Sequence, residues 1–381
     1  MRIIIARSLL LASISISAVQ PLFSYRITPA NYLILHTSLR LNHNELCAPI
    51  IKGNVLYQGL HNGTILSQDI ENQRVLWQFK GNESPTSTFL YHDTMVVTTL
   101  KGLVYALNGK TGKLLWSYNT QKQIRSGIRA YDSMLYIQTT LDTLYAFSLK
   151  DGSLLWQFTS KNVLGGLTIY STPTPYISHG IIFTGFSNGA AVALDARTGK
   201  LIWEKKPTVL RQLQDMVASP AGNHDAVVFG SYDNGVSCLN KHDGTMVWER
   251  NDLKRPLGLY STGNAVYVTR STGELYRLDL RTGDTIWKAS LGKQVNLFTP
   301  YKVNNLLIVG VAEGHNKGIV VLDPDDGTML QRLSIVSGIS AGPVIAGNKI
   351  YVVSNGGFLY GYKISTIQHR KVFHQLNPLR G

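Results

Sequence analysis

Hydrophobic and polar positions along the chain change over in short runs, and one run sets the pattern. Residues 102–116 read Gly-Leu-Val-Tyr-Ala-Leu-Asn-Gly-Lys-Thr-Gly-Lys-Leu-Leu-Trp. The aliphatic, aromatic and β-branched residues from Leu103 to Leu107 suit a buried strand. Residues 108–112 supply turn chemistry, and a second strand starts at Lys113 and reaches Trp116. The unit is a hairpin, with Gly112 where the turn demands a positive φ. No amphipathic helical run of about a dozen residues competes with it.

The hairpin recurs at residues 64–77, 143–156, 189–203, 235–248 and 273–287 and, without its tryptophan, at 318–331. Every tryptophan of the chain (Trp77, Trp116, Trp156, Trp203, Trp248, Trp287) ends one copy. Their spacings are 39, 40, 47, 45 and 39 residues, and Gln331 follows Trp287 by 44, the period of one four-stranded propeller blade. Burying an indole removes roughly 150 to 250 Å² from water, an upper estimate of about 4 to 6 kcal/mol. The tryptophan is therefore expected on each outer strand, buried, fastening one blade to the next. Ala48-Pro49, Thr172-Pro173, Ser219-Pro220, Thr299-Pro300 and Gly342-Pro343 mark innermost strands, because proline lacks the N–H that a central strand would use. Two insertions, residues 160–170 and 205–216, account for the longest intervals. Such loops are where a scaffold carries function.

These repeats fill nearly all of the 381 residues, so the chain reads as a single all-β domain, residues 25–365, with a basic tail at 366–381. Seven copies are complete, and 341–345, 349–353 and 358–362 give three strands of an eighth blade. A strand near Tyr32 to Leu39 is expected to supply the fourth, closing an eight-bladed propeller from the N-terminal side. Residues 1–24 combine Arg2 and Arg7 with an apolar stretch from Ser8 to Val19, the pattern of a secretory signal or an uncleaved anchor. Cys47 and Cys238 fall in the first and fifth blades, nearly opposite across the ring, so free and partly buried thiols are expected. Half of the net charge of +14 sits in the two ends. The basic balance suits acidic protein partners or the surface of an anionic membrane, and an export signal argues against nucleic acid.

Leu-Asp-Ala-Arg-Thr-Gly-Lys-Leu-Ile-Trp at 194–203 and Leu-Asp-Leu-Arg-Thr-Gly-Asp-Thr-Ile-Trp at 278–287 resemble the quinoprotein-type propeller repeat. Over residues 37–364 the chain is similar to the BamB family, the propeller subunits of the outer-membrane β-barrel assembly machinery. The resemblance implies a non-enzymatic periplasmic scaffold, a monomer outside the complex, that binds the periplasmic domains of BamA and sits among other subunits at the outer membrane. It departs from the family in lacking a lipid-bearing cysteine after the signal. The family's partner segments, Leu-x-Leu-Arg and Asp-x-Asp before two successive inner strands, map by the inner-strand prolines onto the two insertions. Leu167 and Thr168 then stand at the second Leu and the Arg, with Gly165 in place of the first Leu. Asp215 stands at the first Asp, with Val217 in place of the second, so that only Leu167 and Asp215 match by identity. Leu164, Arg211 and Leu213 are neighbouring candidates.

A quinone-dependent dehydrogenase is the enzymatic alternative on this repeat, and a generic exported interaction propeller the other. The dehydrogenases resemble one another in a vicinal cysteine pair, which this chain lacks, so neither a catalytic site nor a cofactor is expected. Asp323, Asp325 and Asp326 have the clustered carboxylates of a calcium loop but occupy the hairpin turn of the repeat. Gly310 to Gly318 lacks the Gly-Lys-Ser/Thr ending and the following helix of a phosphate loop. The histidines show no paired metal spacing.

Overall fold

A computed structural model of the chain describes residues 24–34, 47–160, 172–207, 211–315 and 317–367. They form eight four-stranded antiparallel sheets, and the described residues contain no helix. Seven sheets are continuous in sequence, each running from an innermost to an outermost strand in chain order. We number these blades 1 to 7, from the strand Ile50–Lys52 to the strand Met329–Ser334. Blade 8 is composite: Val344–Ala346, Lys349–Val353 and Phe358–Ile367 are joined by Ser24–Ile34 as the outer strand.

N-terminal closure is as expected, but the closing strand lies earlier than Tyr32 to Leu39. It pairs Ser24 with Ile367 and Ile34 with Phe358, with a bulge between Pro29 and Asn31. The last strand of the chain is longer than its counterparts elsewhere, and its edge accepts residues well upstream of the apolar Tyr32–Ile34 segment. Residues 35–39 lie outside the described residues.

The middle two strands of blades 1 to 7 are largely buried, whereas outer strands alternate, as in Leu114–Asn119, where Trp116 is buried among exposed neighbours. The core is thus divided into layers between blades. Tyr57, Ile65 and Trp77 of blade 1 pack on Met95, Val97 and Tyr105 of blade 2, and Leu56 of blade 1 meets Tyr351, Val353 and Leu359 of blade 8 across the closure. The prolines expected on inner strands mostly lie just ahead of them: Pro49, Pro173, Pro300 and Pro343 shortly precede inner strands, and of these five only Pro220 lies within one, in a bulge of the strand Met216–Gly222.

All six tryptophans occupy equivalent positions on outer strands, five buried and Trp156 half-buried. Each Nε1–H donates to a carbonyl in the hairpin turn of the following blade, at 2.8 Å from Trp77 to Gly109 and 3.1 Å from Trp156 to Ala196. Trp116, Trp203, Trp248 and Trp287 do likewise to Leu149, Lys241, Leu280 and Pro324. The left-handed glycine of the same turn lies against the indole: Gly112 on Trp77, Gly152 on Trp116, and so on to Gly327 on Trp287. The hairpin and its tryptophan are therefore two halves of one lock between neighbouring blades.

Cys47 and Cys238 form no disulfide with each other and are both fully buried, and burial pushes the Cys238 thiol up to about 12. Asp323 and Asp326 turn their Oδ1 atoms onto the backbone N–H groups of Asp325 and Thr328, the turn role expected of them.

Candidate interaction site

Because the strands of a blade alternate in direction, its connections divide between the two ends of the ring. Turns between second and third strands, and connections from an outer strand to the next blade, emerge at one end. Both insertions belong to that end, one between blades 3 and 4 and the other between blades 4 and 5. Leu164, Leu167 and Thr168 lie outside the described residues. Arg211, Leu213 and Asp215 are described.

Residues 213–216 are clamped between two turns. Leu213 accepts a bond from the Asp233 backbone N–H at 3.1 Å, and its own N–H donates to Asp233 Oδ2 at 3.3 Å. Ser231 Oγ donates to the Gln214 carbonyl at 2.9 Å and the Tyr232 N–H to the Asp215 carbonyl at 2.9 Å. On the other side, the Met216 N–H donates to the Phe186 carbonyl at 3.1 Å. Arg211 is exposed and Leu213 half-buried, whereas Asp215 is fully buried. Asp215 thus departs from the role of a surface contact, having no exposed area, and its bond to the Tyr232 N–H is made by its backbone carbonyl.

A second buried carboxylate, which the sequence reading missed, fastens the neighbouring blades at this end. Asp142, in the turn between the second and third strands of blade 3, accepts the Ser187 N–H at 2.9 Å and the Ser187 hydroxyl, both from blade 4. Beside it, Asn188 Nδ2 donates to Ser160 Oγ at 3.0 Å. Burial raises the Asp142 pKa; the Ser187 bonds work against this, and the charge of Asp215 adds to it. The sequence did hold a signal. Asp142 adopts φ 51° at a turn position where other blades place Gly63, Gly102, Gly189, Gly235 and Gly273. An aspartate kept in a glycine conformation marks a side chain in use.

Next to the Leu213–Asp233 clasp, the Arg255 guanidinium lies 5.4 Å from the centroid of the Tyr232 ring, and the Arg255 N–H donates to the Tyr232 carbonyl at 2.8 Å. Arg270, also at this end, donates to the Lys254 carbonyl and pairs with Glu274. The face is polar, partly basic and built on hydrogen-bonded turns. Among the described residues, no three His, Cys, Asp or Glu side chains group as metal ligands.

The chain matches the family model described as "Outer membrane protein assembly factor BamB" over residues 61–289 and 278–366. It belongs to the BamB family. Among its relatives is the "Outer membrane protein assembly factor BamB" of Burkholderia pseudomallei (strain K96243), 24% identical over 324 residues, 83% of this chain and 84% of the relative. The crystal structure of BamB from Moraxella catarrhalis superposes with a TM-score of 0.76 at 16% identity, over 89% of this chain and all of that one. A europium-containing methanol dehydrogenase also superposes, with a TM-score of 0.68 at 11% identity over 88% of this chain and 93% of that one. The fold is thus common to a BamB and to an enzyme, and by itself assigns no function.

Proposed function

We propose that this chain is a non-enzymatic periplasmic scaffold of the outer-membrane β-barrel assembly machinery. In this reading it docks on the periplasmic domains of BamA through the end of the ring that carries the two insertions, at the outer membrane. The observation that carries it is membership of the BamB family across most of the propeller. Two further features support it. The basic and apolar segment at residues 1–24 reads as an export signal. The two insertions flank blade 4 at one end, with exposed Arg211 and half-buried Leu213 held on a rigid clamp. Leu164, Leu167 and Thr168 complete the contact in this proposal, with Asp215 positioning it.

The test is to mix the purified mature protein with the periplasmic domains of the cognate BamA and follow co-elution on size exclusion. Dye reduction with pyrroloquinoline quinone, calcium and alcohols is measured in parallel. A complex without dye reduction is expected; dye reduction without a complex would replace the scaffold by a dehydrogenase.

A further inference from the structure

The eight innermost strands line the central channel, and Lys52, Arg129 and Lys302 are their only charged residues, with no carboxylate among them. Lys52 is already engaged, its Nζ donating to the His92 carbonyl at 2.8 Å and lying 3.7 Å from Asp93. Arg129 is different. It shares one rung of the ring with three tyrosines, because each pairs with the residue seven places further on: Arg129 with Tyr136, Tyr176 with Phe183, Tyr260 with Tyr267 and Tyr301 with Ile308. Tyr176 is occupied, donating to the Gly222 carbonyl at 3.3 Å and accepting from Lys241 Nζ at 3.3 Å.

The other two tyrosines stand together. The rings of Tyr260 and Tyr301 meet edge-on at 5.8 Å, and Tyr301 is 41% exposed. Among the described residues neither hydroxyl has a hydrogen bond, and the Arg129 guanidinium has no carboxylate partner. Its one bond is from Nη1 to the adjacent Ile128 carbonyl at 3.3 Å. Blades 3 and 7 stand opposite each other in an eight-membered ring, so the shared rung sets Arg129 and Tyr301 on opposite walls of the channel. Arg129 is solvent-exposed while crowding by protein lowers its pKa. Both hold in a narrow, wet channel, and a guanidinium stays charged there at neutral pH.

We propose that this rung is a binding site for a small oxyanion, a carboxylate or a phosphate, that enters the central channel. Arg129 donates a forked pair of N–H bonds to two of its oxygens, and the hydroxyls of Tyr260 and Tyr301 donate to the anion from the opposite wall. Walls of low polarity strengthen a charge–charge contact relative to water, and the lack of acidic residues on the lining strands leaves the cation uncompensated. The site is separate from the proposed partner surface, which lies on loops at one end of the ring.

Isothermal titration calorimetry of the full chain at low salt tests it, with inorganic phosphate and malonate as separate probes and circular dichroism to check each variant's fold. The wild type is expected to bind at least one probe, and the preferred probe identifies the anion class. Arg129→Gln should weaken binding at least tenfold and Tyr301→Phe about threefold, while Arg74→Gln on an outer turn leaves it unchanged. Absence of heat with both probes in the wild type overturns the proposal, as does equal affinity in Arg129→Gln or a comparable loss in Arg74→Gln.

Discussion

Gly152 of blade 3 lies against the indole of Trp116 in blade 2 so closely that a Cβ there would come within 2.5 Å of Cδ2 and Cε3. The same turn takes the indole N–H on the Leu149 carbonyl at 3.0 Å. Glycine is required twice over, for its φ of 74° and for the space above the ring. Gly152→Ala should therefore cost about 2 to 4 kcal/mol, combining backbone strain with overpacking. Urea denaturation measures it, and a variant within about 0.5 kcal/mol of wild type would show that the lock is loose.

The lock is absent on both sides of blade 8, which predicts where the ring yields first. Blade 7 has Gln331 at the tryptophan position, and blade 8 has no hairpin to receive an indole, because its outer strand comes from the N-terminus. Blade 1 correspondingly carries Gln73 at φ 60° where the other turns have glycine. Gln331→Trp should then give no gain beyond about 0.5 kcal/mol, whereas a new lock would have stabilised by more. In native-state hydrogen exchange, amides of 349–353 and 358–364 should exchange faster than those of 134–138 and 143–148. Equal protection would contradict a weak seam.

Much of this was legible in the chain because a rare residue recurs at a fixed place in a fixed hairpin. Trp77 through Trp287 gave the blade period, and the proline dipeptides gave the inner strands. The closing strand was misplaced because its position depends on the long edge offered by Phe358–Ile367, a non-local pairing that Tyr32–Ile34 alone does not encode. Within the candidate site, the two insertions are legible from loop length, whereas which of Leu164, Leu167, Thr168, Arg211 and Leu213 meets a partner is not. The burial of Asp215 is not legible, because spacing carries no information on it. Asp142 and Ser187 were missed because their bond joins residues far apart in sequence.

Asp142 gives stability a definite pH dependence. Burial raises its folded pKa above 3.8, so the folded state holds this proton more tightly than the unfolded chain does. Its contribution to stability is greatest below the ordinary carboxylate range and falls as pH rises through the raised value. Asn can keep both Ser187 contacts without the buried charge, its Oδ1 accepting the N–H and its Nδ2–H donating to the Ser187 hydroxyl. Asp142→Asn should lose this component, becoming relatively more stable than wild type as pH rises from about 4 to 7. Thermal melts across that range check it; parallel pH profiles for the two proteins would refute the assignment.

Cys238 should be chemically silent in the folded protein, since burial both excludes reagents and pushes the thiol up to about 12. Iodoacetamide at pH 8 should leave it unmodified in native protein and alkylate it fully in denaturant, read by mass spectrometry. Rapid native labelling would mean that the blade 5–6 interface opens.

The most direct test of the scaffold reading is the affinity of the mature protein for the BamA periplasmic domains in wild type and in Leu167→Ala with Arg211→Ala. Asp215 is left intact because it is buried. Interfaces concentrate their energy in a few anchors, so the double variant should bind more weakly by at least about 2 kcal/mol. Lys110→Ala, at the opposite end of the ring, should bind as wild type does. Undiminished affinity in a folded double variant, or no binding by the wild type, would contradict the account.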